Sequence, residues 1–205
     1  MTFKTKQEDF WAGDFGNDYI ERNKLEDIIP ARIALFSEIL QYTHDVKSFI
    51  EFGANIGGNL GALRQLKPKA QLTAIEINKK AAAILESSGA ADRIINGSFL
   101  DDYENNIADL SFTSGVLIHL NPEMLDKAYE NLYKTSKKYI LISEYYNPSP
   151  TTINYRGNEE YLFKRDFAGE IMDKYPDLTL VNYGFKYRRD PNFFYDDLTW
   201  FLMKK

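Results

Sequence analysis

The chain has 205 residues, of which 44% are hydrophobic and 27% charged, a composition typical of a folded domain that excludes a disordered chain. The formal net charge of -5 argues against nucleic acid as a partner, because phosphate binding requires clustered Lys and Arg residues. The absence of cysteine excludes disulfides and thiolate metal sites, and with only two histidines no metal centre is expected.

No stretch of the chain is apolar for long enough to predict a membrane span, so no membrane partner is expected. The polar N-terminus resembles no targeting peptide, and the expected location is the cytoplasm. Residues 1–26 combine charges, glycines and aromatic rings ahead of the first regular pattern. We predict that they form a segment separate from the core, which begins at residue 27.

From residue 27 onward, helical and strand patterns alternate. Apolar residues at helical spacing predict a first helix over 27–42, followed by a short buried strand over 48–52. Further helices are predicted at 59–66, at 79–88 between the caps Asn78 and Gly89, after the pair Asn121-Pro122, and at 166–174. Further strands are predicted at 72–77, 93–96, 108–117 and 139–145.

The last two predicted strands, 178–187 and 197–203, are joined by a loop too short to hold a crossover helix. Two strands joined in this way pair antiparallel. Strands that alternate with helices predict a parallel sheet covered on both faces. We therefore predict a single Rossmann-like α/β domain over 1–205, with a doubly wound, mostly parallel, seven-stranded sheet and an antiparallel terminal strand.

A glycine-rich stretch, 53–58, follows the first predicted strand and opens a helix, where α/β sheets bind nucleotide-like ligands. Gly53 is able to adopt the dihedral angles of a tight turn, and Gly57 allows close packing of the helix. A dinucleotide fingerprint requires glycine at the position of Asn55, so that the backbone approaches the pyrophosphate. Asn55 therefore favours a ligand without phosphates, although a tight turn with no ligand is the alternative interpretation.

Glu76 lies at the end of the second predicted strand, 23 residues after Gly53. An acidic residue at this distance is the expected partner of ribose hydroxyls, because one carboxylate accepts hydrogen bonds from both. The sequence therefore predicts a nucleoside-containing ligand at this edge of the sheet.

These motifs, together with Asn96-Gly97-Ser98-Phe99 and the segment 112–120, resemble those of class I S-adenosylmethionine-dependent methyltransferases in the same order. The stretches 7–13, 15–16, 19–23, 155–157 and 163–167 are similar to methylases associated with pseudaminic acid and other surface-polysaccharide pathways. The resemblance implies S-adenosyl-L-methionine as cofactor and a sugar-related methyl acceptor.

The resemblance also implies which residues bind the cofactor. The methionine portion is assigned to Gly53, Asn55 and Gly57, the ribose to Glu76, and the adenine to Ser98 and Phe99; Ile77, Gly97, Ser114 and Gly115 belong to the same motifs. In the commoner pattern of the family an Asp stands at the position of Ser98 and accepts from the adenine amino group. Ser98 is a weaker acceptor, and Asp101 is the alternative.

In the N-terminal segment, Arg22 is the candidate partner of the methionine carboxylate, because a guanidinium matches a carboxylate in a bidentate geometry. Trp11 and Tyr19 are expected to close over the cofactor as a lid. The alternative is a surface helix with Trp11 as its packing anchor.

His119 is the candidate general base, since imidazole titrates near neutral pH, and Glu144 is the alternative. For both, a purely structural role is the competing interpretation. Tyr145, Tyr155, Arg156 and Lys164 are candidates for acceptor binding, against the alternative of a solvated, aromatic-supported flap.

The sequence thus predicts a methyltransferase acting on a small polar molecule, a sugar or sugar nucleotide, without a metal. Two other interpretations remain open at this point: an NAD-dependent oxidoreductase, which shares the fold and the ribose acid, and a non-catalytic nucleotide-binding module. The sequence does not indicate the oligomeric state.

Overall fold

The computed structural model describes residues 3–22 and 24–205; Met1, Thr2 and Asn23, which belong to the predicted N-terminal segment, lie outside the described residues. The strands are β1 (Ser48–Phe52), β2 (Gln71–Glu76), β3 (Arg93–Asn96), β4 (Ala108–Ser114), β5 (Ser136–Glu144), β6 (Thr151–Tyr155), β7 (Asn158–Lys164), β8 (Thr179–Lys186) and β9 (Leu198–Lys204). The helices are α1 (Lys6–Ala12), α2 (Asp14–Ile20), α3 (Leu25–Ile39), α4 (Gly58–Leu66), α5 (Lys79–Ser88), α6 (Leu125–Thr135) and α7 (Phe167–Lys174). None of the helices in the described ranges has the length and apolar character needed to cross a bilayer.

Seven strands form one sheet in the order β3-β2-β1-β4-β5-β9-β8. The first five pair in parallel, and β9 runs antiparallel to both of its neighbours. The predicted Rossmann-like architecture is therefore confirmed, including the reversed terminal strand. The strand order reverses between β1 and β4, and the carboxyl ends of strands at such a point form the crevice in which α/β sheets bind ligands.

Strand β1 is buried along its whole length because helices cover both faces of the sheet. Its side chains alternate between two layers of core. Phe49 points to the layer that contains residues of α3 and α4, while Ile50 and Phe52 point to the layer that contains residues of α6 and α7. This packing fixes the end of β1, and with it the start of the glycine-rich loop.

Two predicted elements end earlier than expected. The first helix is α-helical from Leu25 to Ile39 and continues only as a 3-10 turn, Leu40–Tyr42. Strand β4 stops at Ser114 instead of residue 117, because Gly115 adopts a φ of +69° and the chain then forms a 3-10 turn, Leu117–His119. The shorter strand brings this turn to the sheet edge.

Three pieces of regular structure were not predicted as elements: helix α1, helix α2 and a hairpin of β6 and β7, although a surface helix carrying Trp11 was the alternative for the N-terminal segment. Helix α1 starts at a capping box, in which the Thr5 side chain accepts from the N–H of Glu8 and the Glu8 side chain accepts from the N–H of Thr5. Strands β6 and β7 form a separate hairpin between β5 and α7. Its turn residues Arg156 and Gly157 have φ values of +52° and +83°, as a two-residue hairpin turn with positive φ at both positions requires.

Candidate functional site

A cleft opens at the carboxyl ends of β1, β2 and β4, beneath helices α1 and α2. It encloses about 900 Å³ of empty space, open solvent at its mouth included. Eleven of the thirteen predicted cofactor-binding residues line it: Trp11, Tyr19, Gly53, Asn55, Glu76, Ile77, Gly97, Ser98, Phe99, Ser114 and Gly115. The structure thus brings residues from five separate stretches of sequence to one place.

The glycine loop has little room for side chains. Gly53 and Gly57 have φ values of +77° and +88°, and a Cβ atom at either position would lie 2.5 Å from Val116 Cγ2 or 2.2 Å from Leu85 Cδ1, respectively. Gly57 packs against α5 behind the cleft, so its role is to shape the loop. Asn55 has a φ of +49°, a left-handed conformation that asparagine tolerates better than most residues.

Glu76 is 7% exposed, and its carboxylate accepts hydrogen bonds from two backbone N–H groups. Oε2 accepts from Asn55 at 2.6 Å and Oε1 from Asn78 at 2.7 Å. Burial raises the pKa of Glu76, and the N–H groups oppose that shift by stabilising the charge. Since each carboxylate oxygen has a second lone pair, both remain able to accept from ligand hydroxyls.

Helix α1 adds two buried polar residues to the cleft, Gln7 and Glu8, which were not predicted. The Ser98 hydroxyl hydrogen-bonds to Glu8 Oε1, across 90 positions of sequence. The capping-box pattern Thr5-x-x-Glu8 is the one signal in the sequence that would have placed a helix start here. No sequence pattern indicates which loop that helix then contacts.

Trp11 and Tyr19 lie on the wall of the cleft, and their closure over a cofactor stays a prediction. The centroid of the Trp11 ring lies 5.3 Å from that of Tyr19 and 4.6 Å from that of His119. Arg22 does not line the cleft: its side chain is exposed, and the guanidinium carbon lies 5.6 Å from the centroid of the Phe15 ring. This placement does not support Arg22 as the partner of a ligand carboxylate.

His119 is buried on the cleft wall, and its Nδ1 lies 2.7 Å from the carbonyl oxygen of Tyr161. Because a carbonyl oxygen only accepts, Nδ1 must carry the hydrogen in the neutral ring, which leaves Nε2 with a free lone pair. Burial lowers the pKa of His119 to about 4, although the bond to Tyr161 opposes the shift. The imidazole is therefore neutral at physiological pH and able to accept a proton.

Glu144 is buried, and its carboxylate accepts from the backbone N–H groups of Val116 at 2.9 Å and Leu117 at 3.0 Å. It also lies 3.5 Å from the N–H of Ile118, and it is not among the residues lining the cleft. Burial raises its pKa to about 7, against the effect of these N–H groups. The contacts favour Glu144 as the residue that positions the 3-10 turn carrying His119, over a role as the base.

None of the four predicted acceptor-binding residues lines the cleft itself: Tyr155, Arg156 and Lys164 belong to the β6-β7 hairpin, and Tyr145 follows β5. Tyr155 is the nearest, with its ring centroid 4.9 Å from that of His119. Lys164 Nζ lies 5.1 Å from the centroid of the Tyr145 ring, and Arg156 is exposed at the hairpin turn. The structure thus places the Tyr155 ring beside His119, whereas Lys164 with Tyr145 lies at the end of the hairpin opposite the Arg156 turn. Within the described ranges, no cluster of His, Asp and Glu side chains is suited to hold a metal ion.

Solved structures share this fold along nearly the whole chain. The magnesium protoporphyrin IX methyltransferase (ChlM) of Synechocystis PCC 6803, with S-adenosylmethionine bound, has a TM-score of 0.68 at 13% identity, and both chains are covered completely. A 1,6-didemethyltoxoflavin-N1-methyltransferase of Burkholderia thailandensis, with S-adenosylhomocysteine bound, has a TM-score of 0.71 at 13% identity and covers 97% of this chain and 86% of its own. An S-adenosylmethionine-dependent methyltransferase of Leishmania major has a TM-score of 0.71 at 14% identity, and the match covers 98% of this chain and 87% of its own.

At these identities the likeness shows a shared fold. No protein-family model matches the sequence, and no curated protein matches it either. The chain shares its fold with these S-adenosylmethionine-dependent methyltransferases, and its ligand is inferred from its own cleft.

Proposed function

We propose that this chain is an S-adenosylmethionine-dependent methyltransferase that binds its cofactor in the cleft between the glycine loop and helix α1. The charge of the cleft carries the proposal. Its charged lining residues are Glu8 and Glu76, and among the described residues no Lys or Arg lines it. Such a site suits a sulfonium cation with ribose hydroxyls and disfavours the pyrophosphate of NAD, which requires neutralising charge or close backbone approach.

The residues present fit this cofactor. Glu76 has the free lone pairs needed for two ribose hydroxyls, and Asn55 occupies the position where a pyrophosphate would require glycine. Neighbours of the same fold hold S-adenosylmethionine or S-adenosylhomocysteine in their crystals. When bound, the cofactor supplies an activated methyl group on sulfur.

Side chains of this chain perform the remaining chemistry. His119 Nε2 is the group that takes the proton from an acceptor hydroxyl or amine, because Tyr161 holds the ring in the tautomer with a free Nε2 lone pair. Trp11 packs against His119 and shields that side of the cleft from water. The enzyme's main task is then to align the acceptor with the methyl group, which lowers the entropic part of the barrier.

For the acceptor, we propose a small polar molecule, a sugar or sugar nucleotide, bound between the cleft and the β6-β7 hairpin. Three features support it: the stretches of sequence similar to surface-polysaccharide methylases, the aromatic ring of Tyr155 beside His119, and the cations Arg156 and Lys164 on the hairpin. Aromatic rings stack on the faces of sugar rings, while the cations are able to pair with a carboxylate or phosphate. Two neighbours, by name, methylate small molecules of other kinds.

Calorimetric titration with S-adenosylhomocysteine and NADH tests the cofactor. We expect binding of the first alone, and binding of NADH alone would overturn the proposal. Transfer of labelled methyl groups to a panel of sugar nucleotides, DNA, RNA and protein then tests the acceptor. Labelling of a polymer but of no sugar derivative would contradict the acceptor class, and cofactor binding without any transfer would indicate a non-catalytic module.

With an active sugar acceptor, Arg156→Ala and Lys164→Ala should each raise the KM for the acceptor while S-adenosylhomocysteine affinity stays unchanged. Lys137→Ala, an exposed cation at the start of β5, is the matched control. Equal loss of cofactor affinity in either hairpin variant would place those residues in the fold or the cofactor site instead.

A further inference from the structure

We infer that helix α1 recognises the base of the cofactor, with the Glu8 carboxylate accepting a hydrogen bond from the exocyclic amino group of adenine. This inference rests on the proposed function, because it concerns the same cleft. It assigns the base acceptor to the N-terminal segment, whereas the sequence resemblance placed it in the loop after β3.

The loop after β3 has no free carboxylate facing the cleft. Ser98 stands where the family commonly has Asp, and its Oγ accepts from the N–H of Leu100 at 2.9 Å while its hydrogen goes to Glu8. Asp101 does not line the cleft: one oxygen accepts from the N–H of Ser98 at 2.9 Å, and the other pairs with Lys4 Nζ at 2.8 Å. Asp101 is thus committed to the loop itself, and a base bound here needs another acceptor.

Glu8 provides that acceptor. Its side chain lines the cleft although the residue is only 5% exposed. Oε2 accepts from the backbone N–H groups of Lys4 and of Thr5, which orients the carboxylate, and Oε1 is turned toward Ser98. Oε1 keeps a lone pair beyond the bond from Ser98, so it can accept from a ligand in the cleft.

Gln7 supplies an independent sign that this end of the cleft accommodates a hydrogen-bond donor. Its Nε2 donates to the carbonyl oxygen of Glu160 at 3.0 Å, and because a carbonyl only accepts, the amide orientation is settled. Its Oε1 is then a buried acceptor with no partner within the described chain, on a residue that is 2% exposed and lines the cleft. Buried acceptors without partners are rare, because desolvation makes them costly. The exocyclic amino group of adenine carries two hydrogens, and Gln7 Oε1 and Glu8 Oε1 are two acceptors for them.

If Glu8 accepts from the adenine amino group, the protein should bind a ligand with adenine more tightly than the same ligand with the deaminated base. S-inosylhomocysteine differs from S-adenosylhomocysteine by a carbonyl oxygen in place of the amino group, and that oxygen would face the carboxylate without a hydrogen between them. By calorimetry, the wild-type protein should bind S-adenosylhomocysteine roughly 10- to 100-fold more tightly, the range expected for a hydrogen bond to a charged group.

The variant Glu8→Gln distinguishes a role of Glu8 in binding the base from a role in capping helix α1. Gln also completes a capping box, so its amide oxygen can cap the helix while its NH₂ group takes the place of the acceptor near Ser98. The ratio of the two affinities should fall to about one or below, since the amide now donates to the carbonyl of the deaminated base. Asp9→Asn is the matched control: it changes an exposed carboxylate of the same helix and should leave the ratio unchanged.

The outcomes are distinguishable. If the wild type binds neither compound, the proposed function fails. If it binds S-adenosylhomocysteine but does not discriminate between the two bases, the assignment of Glu8 is overturned without any variant. A folded Glu8→Gln protein that keeps the wild-type ratio would likewise show that Glu8 serves only to cap the helix.

Discussion

The backbone N–H of Asn55 donates a 2.6 Å hydrogen bond to the Glu76 carboxylate, which joins the loop after β1 to the end of β2. The same carboxylate accepts from the N–H of Asn78, just ahead of α5. Glu76 therefore holds the glycine loop in shape and faces the cleft with its remaining lone pairs.

We expect Glu76→Ala to weaken S-adenosylhomocysteine binding by roughly 10- to 100-fold, because hydrogen bonds to a charged acceptor contribute about 1.5–3 kcal/mol. The variant should also unfold at lower temperature, because two buried N–H groups lose their partner. Calorimetry and thermal unfolding measure the two effects. Glu86→Ala, an exposed residue of α5, is the control. Wild-type affinity in the Glu76 variant would contradict its role in the site.

His119 should act as a base down to unusually low pH. Because burial lowers its pKa to about 4, kcat should stay level as the pH falls through 6.5 and decline only near 4. His119→Asn should reduce kcat by about 100- to 10,000-fold, the usual contribution of general base catalysis. The exposed His44, changed to Asn, serves as the control. A pH–rate midpoint at 6.5, or a His119 variant with normal kcat, would rule out this role.

Glu51 should make the protein less stable at alkaline pH. Burial raises its pKa to about 8, while the Asn59 amide donates to Oε1 at 2.6 Å and opposes the shift. The folded state thus binds a proton that the unfolded state has released, and the free energy of unfolding falls as the pH rises from about 4.5 to about 8.

Glu51→Gln removes the charge that must otherwise form in the core. Relative to wild type, we expect it to raise the free energy of unfolding at pH 8 by a few kcal/mol, at most about 5, from 1.36 kcal/mol for each pKa unit. At pH 4.5 the difference should shrink markedly. Urea denaturation at the two pH values measures it, with Glu86→Gln as the control. An equal effect at both pH values would show that Glu51 is ionised throughout.

Trp11 should report closure of helices α1 and α2 over the ligand. It lines the cleft, whereas Trp200 is fully buried in the core and gives a constant background. S-adenosylhomocysteine should therefore change the fluorescence of the wild type, and Trp11→Phe should abolish the change while binding persists by calorimetry. Protease cleavage within the described positions 10–22 should also slow when the ligand is added. Unchanged cleavage and fluorescence on saturation would contradict the lid.

Much of this fold follows from the sequence alone. The period of the apolar residues and the length of each apolar run distinguish the helices from the buried strands. A strand covered on both faces is buried along its length and mostly apolar, as β1 is apart from Ser48 and Glu51. The short loop after β8 required an antiparallel partner, and β9 is that strand. The glycine loop and Glu76 were also predictable, because their geometry depends on a single turn and on neighbouring strands.

Tertiary structure alone decided the rest of the site. Ser98 and Glu8 stand 90 positions apart and meet only because α1 packs across the cleft, and no periodicity in either stretch encodes that contact. Glu144 lies at the end of its strand, where a catalytic residue is expected, yet its carboxylate is occupied by the backbone of the turn that β4 leads into. The local pattern of apolar residues predicts which positions are buried. The partner of a buried polar group, in contrast, depends on which distant segment packs against it.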